Sequence, residues 1–188
     1  MKVKIEISAR HLHLSKKDLE KLFGKGYELK SEKELSQHGE FASSAKVNLV
    51  GPKRQLENVT VIGPVREKTQ VEISRTDAFF LGVAAPLRVS GDVKGSGKIK
   101  VVGPAGEVNL KEGVIVAKRH VHLSDAQAKK LGLKHGDIVK VKVGGDRALV
   151  FDEVVVRVKE NFDQSFQIDT DEGNAAGLAP VGEGELII

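Results

Sequence analysis

Short runs of alternating apolar and polar residues cover most of the chain. The first run, KVKIEI, occupies residues 2–7, and similar runs return after glycine or Gly-Pro breaks. A period of two places successive side chains on opposite faces, which is typical of strands with one buried face. The fold is therefore predicted to be mainly β, with strands at residues 45–50, 59–62, 70–74, 87–90, 98–102, 138–143, 154–158 and 166–169.

Glycine and proline separate these runs at short intervals. Gly-Pro pairs follow strand-like runs at 51–52, 63–64 and 103–104, where proline cannot continue a central hydrogen-bond ladder. The close spacing favours small β-barrels over a parallel sheet with long crossover helices. A glycine-rich, charged stretch at 94–111 resembles a hairpin. We place the division there: residues 1–110 form the N-terminal strand and one barrel, and residues 111–188 form the other barrel, packed together as one compact unit.

One segment occurs nearly twice, as SARHLHLS at 8–15 and AKRHVHLS at 117–124. Each copy leads into a short helical pattern, at Lys16–Phe23 and Asp125–Leu131, with the last serine of the motif as N-cap. A residue able to form a capping box and a helix-ending glycine follow each serine: Asp18 with Gly24, and Gln127 with Gly132. The chain therefore contains an internal pseudo-repeat of strand, cap and short helix.

Each repeat carries two histidines that are two residues apart, His11 with His13 and His120 with His122. On a strand, such residues share one face at a spacing of about 7 Å, which suits convergence on one metal ion. A single pair would fit surface or packing histidines equally well, but the duplication favours ligands. A catalytic zinc site needs a third protein ligand, and without cysteine this must be His, Asp, Glu or an amide.

Composition narrows the class of protein. The chain has 188 residues, of which 40% are hydrophobic, and a formal net charge of +4, which suits phosphorylated ligands without naming one. The absence of cysteine excludes disulfides and thiolate chemistry. With one Tyr and no Trp, there is little aromatic surface for nucleic-acid bases. No targeting or membrane-spanning segment is apparent, so we expect a cytoplasmic protein.

His38 and His135 each precede glycine and are interpreted as turn residues.

Taken together, the motifs resemble those of the PduL-type phosphotransacylases, also called phosphate propanoyltransferases, over nearly the whole chain. The resemblance rests on the two histidine motifs and on GPVR at 63–66, TQVE at 69–72, RTDA at 75–78, PLRVSGD at 86–92, GS at 95–96 and DTDEGNAA at 169–176.

This resemblance implies a fold of two small β-barrels with short helices and with segments exchanged between the barrels. It also implies an acyltransferase that moves a short acyl group between coenzyme A and inorganic phosphate. Acyl-CoA and phosphate would be its partners, and we expect a monomer or small homo-oligomer. Some family members carry an N-terminal extension that directs them into bacterial microcompartments. Because the first motif begins close to Met1, we expect a free cytoplasmic enzyme.

The resemblance further implies metal ligands. One Zn²⁺ would be held by His11, His13 and Glu72. A second would be held by His120, His122 and a third histidine, but this chain has Gln167 at that position. Because an amide oxygen is a poorer zinc ligand than imidazole, the second ion is expected to bind weakly, to take waters instead, or to be absent.

Four other residues match functional positions of the family. Arg66 corresponds to a catalytic arginine, and a guanidinium can clamp phosphate through two hydrogen bonds. Phe79, Ser90 and Asn174 lie in stretches that contact coenzyme A, although Phe79 would serve equally well in core packing. Acyl transfer to phosphate passes through a tetrahedral oxyanion that the site must stabilise. Because the chain has no cysteine, direct attack of phosphate on the thioester carbonyl is a simpler hypothesis than an acyl-enzyme.

Two other functions remain open from the residues alone. The segment GLKHGDIVKV at 132–141 and the basic composition also fit a small β-barrel DNA-binding regulator, which would bind duplexes in a salt-sensitive manner. A zinc-dependent thioester hydrolase, in which water replaces phosphate, would use the same metal ligands.

Overall fold

The computed structural model describes residues 1–179 and 181–188, which form two compact units. The central unit is the continuous segment Arg10–Ala117. The terminal unit combines Met1–Ala9 with Lys118–Ile188. Each unit has a hydrophobic core of its own.

Strands dominate both units, and the helices are short. None of the described helices is long and apolar enough to cross a membrane. In chain order the elements are β1 (Lys2–Ser8), β2 (His11–His13), α1 (Lys16–Phe23), β3 (Ser31–Glu34), β4 (Phe41–Val50), β5 (Gln55–Gly63), β6 (Gln70–Glu72), α2 (Arg75–Leu81), β7 (Leu87–Arg88), β8 (Gly97–Val102), β9 (Glu107–Ala117), β10 (His120–Leu123), α3 (Asp125–Leu131), β11 (Ile138–Val143), β12 (Leu149–Val158), β13 (Ser165–Asp169), α4 (Thr170–Ala175) and β14 (Val181–Ile187).

The central unit is a closed β-barrel. Its strands pair in the order β4–β5–β2–β6–β9–β8, and β8 pairs again with β4. The short strands β3 and β7 add to β4 and β9. Closure leaves the ring without free edges. Its interior is filled by fully buried aliphatic side chains, among them Leu12, Leu49, Val61, Val71 and Val101.

The terminal unit is a second closed barrel, with the strand order β1–β13–β10–β12–β11–β14. Its core again consists of the inward-facing positions of alternating strands, including Ile5, Val121, Val141, Val156 and Phe166. The prediction of a mainly β fold with two small barrels is confirmed.

The two rings have the same pairing scheme. In both, the strand with the histidine pair lies parallel to one neighbour and antiparallel to the other: β2 with β5 and β6, and β10 with β12 and β13. The strand that precedes each motif belongs to the other unit. β1 leads into β2 but pairs with β13 and β14, whereas β9 leads into β10 but pairs with β6 and β8. The expected exchange of segments is therefore reciprocal.

The observed units differ from the predicted division at residue 110 in the placement of β1 and β9. β1 joins the C-terminal part of the chain, because Ile5 is paired with Phe166 in β13 and with Gly182 in β14. β9 runs continuously through residues 107–117. Alternation along one strand does not reveal its neighbours, so the sequence pattern alone could not place β1.

The helix caps follow the repeat closely. Ser15 and Ser124 are N-caps, and Gly24 and Gly132 end the helices with φ angles of 102° and 68°. The capping box predicted from the second copy is complete. In the first copy, the backbone N–H of Ser15 donates instead to Thr69 Oγ1 over 3.0 Å. Asp18 does not reach back to that N–H, so the predicted box is only half formed there.

Two helices were not predicted. α4 directly follows β13 and α2 is separated by two residues from β6, the strands that pair with the histidine strands, with Asp169 and Ser74 as N-caps. The predicted strand at 70–74 is therefore too long, because Ser74 already accepts a hydrogen bond from the Asp77 backbone. Helices of six or seven residues contain too few turns to show a helical period in the sequence. The equally short α3 was predicted because it follows a copy of the repeated motif, whereas α2 and α4 do not.

Candidate functional site

The first histidine pair lies on β2 and faces away from the barrel core. Leu12, between the two histidines, is part of the core of the central unit, so the pleat directs His11 and His13 to the other face. Both imidazoles are still buried, with exposed fractions of 7% and 2%. Their ring centroids are 5.2 Å apart. The two rings thus share one face, as their spacing predicts.

Glu72 joins this pair. The antiparallel register of β2 and β6 places Glu72 opposite His11, and Glu72 Oε2 lies 3.8 Å from His11 Nε2. One potential ligand atom from each of His11, His13 and Glu72 lies within 4.8 Å of the other two. Two imidazoles and one carboxylate leave a position open in a tetrahedral site, as catalytic zinc requires. The structure therefore brings together the three residues that the family resemblance implies as ligands.

His13 is suited to bind a metal because its ring is neutral and one nitrogen is unsatisfied. Burial is the main cause that lowers the pKa of His13 to about 3, and the charges of Arg66 and His11 lower it further. Nδ1 is buried and has no hydrogen-bond partner. An unsatisfied buried polar atom is costly, and coordination to a metal, which requires neutral imidazole, would satisfy it.

Arg66 lies beside this group, between β5 and β6. Its backbone N–H donates to the carbonyl of Leu14 over 2.9 Å, which ties it to the end of β2. Its Nη2 donates to Glu40 Oε1 over 2.8 Å, and about a third of each side chain is exposed, 33% and 35%. Since its charge contributes to the lowered pKa of His13, a guanidinium borders the group of His11, His13 and Glu72 and is accessible to an anion.

The second histidine pair occupies the equivalent place on β10. Val121 is in the core of the terminal unit, while His120 and His122 face the other side with ring centroids 4.6 Å apart. Burial is the main cause that lowers the pKa of His122 to about 2, followed by the charges of His120 and Arg157. Both ring nitrogens of His122 are buried without a hydrogen-bond partner. This histidine is therefore also neutral and available to a metal.

Gln167 stands in the terminal unit where Glu72 stands in the central unit. The β10–β13 register pairs it with His120. Its amide nitrogen donates to Glu6 Oε2 over 2.6 Å and to Ser165 Oγ over 3.2 Å, which leaves the amide oxygen as its only metal donor. In the described part of the chain, no third His, Asp or Glu completes a ligand group around the second pair.

Comparison with known proteins establishes the family. The model of the phosphate propanoyltransferase family matches residues 4–179. The chain belongs to this family. Its membership confirms the resemblance seen in the sequence motifs and makes the protein an acyltransferase.

Curated relatives of the family are similar over most of their length. The phosphate propanoyltransferase of Thermotoga maritima is 55% identical, over 93% of this chain and 83% of the relative. That of Lachnoclostridium phytofermentans is 53% identical, over 94% and 83%, and that of Salmonella typhimurium is 49% identical, over 93% and 83%. Neither the DNA-binding regulator nor the thioester hydrolase gains support from these phosphate propanoyltransferases.

The three residues expected to contact coenzyme A in this family lie in different surroundings. Ser90 is next to the candidate metal ligands, and its Oγ donates to Glu72 Oε1 over 2.8 Å. Phe79 on α2 is 78% exposed, so the alternative that it packs in the core is wrong. Lys53 Nζ lies 5.0 Å from the centre of its ring. Asn174 is exposed on α4 in the terminal unit.

The two remaining histidines are turn residues, as predicted. His38 and His135 both lie in turns, and His135 Nδ1 accepts a hydrogen bond from the backbone of Val158. Within residues 1–179 and 181–188, neither belongs to a group of three possible metal ligands. Neither therefore replaces the missing third histidine in the part of the chain that the structure describes.

Two residues near the pair of His11 and His13 were not identified from the sequence. Glu40, the partner of Arg66, is remote in sequence and carries no local signal. Gln70 lies two residues before Glu72 on the same strand, so alternation places both side chains on one face. The sequence therefore carried a signal that relates Gln70 to Glu72 once Glu72 is identified.

Proposed function

We propose that this protein transfers a short acyl group, acetyl or propanoyl, reversibly between coenzyme A and inorganic phosphate, with an acyl phosphate as product. The proposal rests on the buried group of His11, His13 and Glu72 with the accessible guanidinium of Arg66 beside it. A metal site next to an anion-binding side chain suits a reaction between a carbonyl group and phosphate. The names of the relatives support propanoyl transfer to phosphate.

The proposed metal of the central unit is Zn²⁺. Two imidazoles and a carboxylate are common zinc ligands, and the unsatisfied Nδ1 of buried His13 fits coordination. When bound, zinc supplies Lewis-acid stabilisation of the negative charge that develops during acyl transfer.

Side chains of the protein would bind and orient the phosphate. The guanidinium of Arg66 can form two parallel hydrogen bonds with it, exchanging the carboxylate of Glu40 for the substrate anion. A phosphate oxygen then attacks the thioester carbonyl. The new C–O bond forms, and the C–S electron pair leaves with the thiolate of coenzyme A. Because the chain has no cysteine, direct attack is favoured over an acyl-enzyme formed on a thiol.

Coenzyme A would be bound in part by α2 and its surroundings. An exposed phenylalanine with a lysine at 5.0 Å offers a stacking surface for adenine next to a positive charge for phosphates. Ser90, beside the metal-binding group, is placed to contact the thioester end of the same substrate. Asn174, which is exposed on α4, is also proposed as a coenzyme A contact.

The second histidine pair is proposed to bind zinc more weakly than the first. His122 supplies unsatisfied nitrogens, but the third position offers only the amide oxygen of Gln167. Amide oxygen is a poorer donor to zinc than imidazole or carboxylate. The protein would therefore hold one firmly bound ion and a second that is lost at low zinc concentration.

Release of free coenzyme A from acetyl-CoA and propanoyl-CoA tests the proposed reaction. The assay is run with and without phosphate, and before and after removal of metal with a chelator. We expect release that requires both phosphate and metal, with an acyl phosphate formed in equal amount. The control is restoration of activity when Zn²⁺ is returned to the chelated protein.

Other outcomes would contradict the proposal in distinct ways. Release without phosphate would identify a thioester hydrolase. Phosphate-dependent release that survives complete metal removal would refute the role of zinc but keep the transferase. No release from folded, zinc-loaded protein would refute the reaction itself.

A further inference from the structure

A buried amide supports the carboxylate of the metal-binding group. Gln70 is only 1% exposed, and its Nε2 donates to Glu72 Oε1 over 2.6 Å and to Ser90 Oγ over 2.9 Å. Ser90 Oγ in turn donates to the same Glu72 Oε1 over 2.8 Å. Gln70, Ser90 and Glu72 thus form a closed triangle of hydrogen bonds.

These bonds distinguish the two oxygens of Glu72. Both neighbouring donors bind Oε1, whereas Oε2 is the oxygen that lies 3.8 Å from His11 Nε2. A carboxylate that is free to rotate would exchange its oxygens. Two donors on Oε1 hold one orientation, and they leave Oε2 directed towards the histidines.

The orientation of the Gln70 amide is itself determined by the backbone. The N–H of Gly91 donates to Gln70 Oε1 over 2.7 Å. A backbone N–H can only donate, so the atom it contacts must be the amide oxygen, and the NH₂ group must be the one that faces Glu72. A glutamate at position 70 could keep the bond from Gly91 but could not donate to Glu72.

We propose that Gln70 is a positioning residue for the metal, with Ser90 as a second donor to the same oxygen. It holds Glu72 so that Oε2 completes the ligand group with His11 and His13. Groups that orient metal ligands in this way typically account for about 10–100-fold in metal affinity. The inference rests on the proposed metal site of the central unit and goes beyond it by naming what orients its carboxylate ligand.

The test compares metal binding by three variants. Gln70→Met keeps the side-chain volume but removes the amide, and Ser90→Ala removes the second donor. The matched control is Gln55→Met, because Gln55 Nε2 donates to Glu57 Oε1 over 2.7 Å at the same two-residue spacing, but both residues are exposed. The measurements are Zn²⁺ affinity by competition with a chromophoric chelator, the visible absorption spectrum of the Co²⁺-loaded protein, and thermal unfolding of the metal-free protein.

We expect Gln70→Met to bind Zn²⁺ about 10–100-fold more weakly and to change the Co²⁺ spectrum, which reports the geometry of the ligands. Ser90→Ala should show a smaller loss of affinity, and Gln55→Met should match the wild type. Unchanged affinity and spectrum in folded Gln70→Met would overturn the inference. If Gln70→Met does not fold, Ser90→Ala decides: wild-type affinity and spectrum in that variant would overturn it.

The wild-type measurement separates this inference from the proposed function. If the wild type binds neither Zn²⁺ nor Co²⁺ at the central unit, the proposed metal site is wrong and the role of Gln70 is refuted with it. If the wild type binds metal and folded Gln70→Met binds it equally well, the metal site stands and the positioning role alone is refuted.

Discussion

Arg10 and Asp77 form an ion pair in the central unit, with Arg10 Nε 2.9 Å from Asp77 Oδ2. Arg119 and Glu172 form its counterpart in the terminal unit, at 2.8 Å. In both units, the arginine that precedes a histidine pair contacts the acidic residue in the first turn of the helix that follows the partner strand. These arginines therefore anchor the histidine strand to that helix.

Removal of Arg10 should destabilise the protein. The side chain of Asp77 is 6% exposed, so Arg10→Met would leave a buried carboxylate without its ion-pair partner. We expect a loss of about 1–3 kcal/mol in the free energy of unfolding, measured by urea denaturation. Lys2→Met is the control, because its ion pair with Glu183 is exposed and contributes little. Equal stability of both variants would contradict the anchoring role.

Arg66→Ala should abolish most of the acyl transfer while the fold is retained. Loss of a group that stabilises developing charge typically lowers kcat by about 100–1,000-fold. The measurement is phosphate-dependent release of coenzyme A. Arg147→Ala, at an exposed position in the terminal unit, is the control. Near-normal turnover in Arg66→Ala would show that another residue binds phosphate.

Gln167→His should raise the zinc content of the protein. The imidazole would replace an amide oxygen opposite His120, so we expect two firmly bound ions per chain instead of one, measured by elemental analysis after gel filtration. Gln164→His is the control, because Gln164 contacts Gln127 and the backbone of Lys2. If the wild-type protein already retained two ions after gel filtration, this result would contradict the proposed weak binding at the second site.

The metal-free protein should lose stability as the pH falls below about 6.5. His13 and His122 have folded-state pKa values of about 3 and about 2, so the unfolded chain takes up protons at a pH where the folded chain does not. For each of these two histidines, the free energy of unfolding falls by about 1.4 kcal/mol for every unit that the pH drops below the unfolded-state pKa, until the folded-state pKa is reached. Urea denaturation at pH 7, 6 and 5 measures this slope.

Replacement of His122 by asparagine should flatten that slope, whereas His38→Gln in an exposed turn should leave it unchanged. A slope that is the same in all three proteins would show that the buried histidines do not cause the acid sensitivity.

Phe79→Ala should weaken the binding of acyl-CoA without loss of stability. The ring is 78% exposed, so little packing is lost, whereas stacking of one base on an aromatic ring contributes about 1–3 kcal/mol. We expect the KM for propanoyl-CoA to rise about tenfold and the KM for phosphate to stay constant. Equal changes in both KM values would refute the proposed contact.

Local features of the sequence predicted much of the candidate site. Alternation around Leu12 and Val121 correctly placed each histidine pair on one face, and the serine caps followed from residue type. Glu72 could not be derived in this way. Its contact with His11 depends on the pairing of β2 with β6, which joins residues far apart in sequence, and it was identified only through the family motif. The support of Glu72 by Gln70 depends additionally on Gly91, which lies in a turn beyond β7.

The reciprocal placement of β1 and β9 has a consequence for how each barrel is completed. In a half-length chain of the same design, consisting of one leading strand and one histidine repeat, the leading strand would pair outside the barrel that its own repeat forms. Two such chains that exchanged those strands would complete both barrels. The present chain corresponds to that pair of half-length chains joined end to end, so the linkage performs the task that association of two copies would otherwise require.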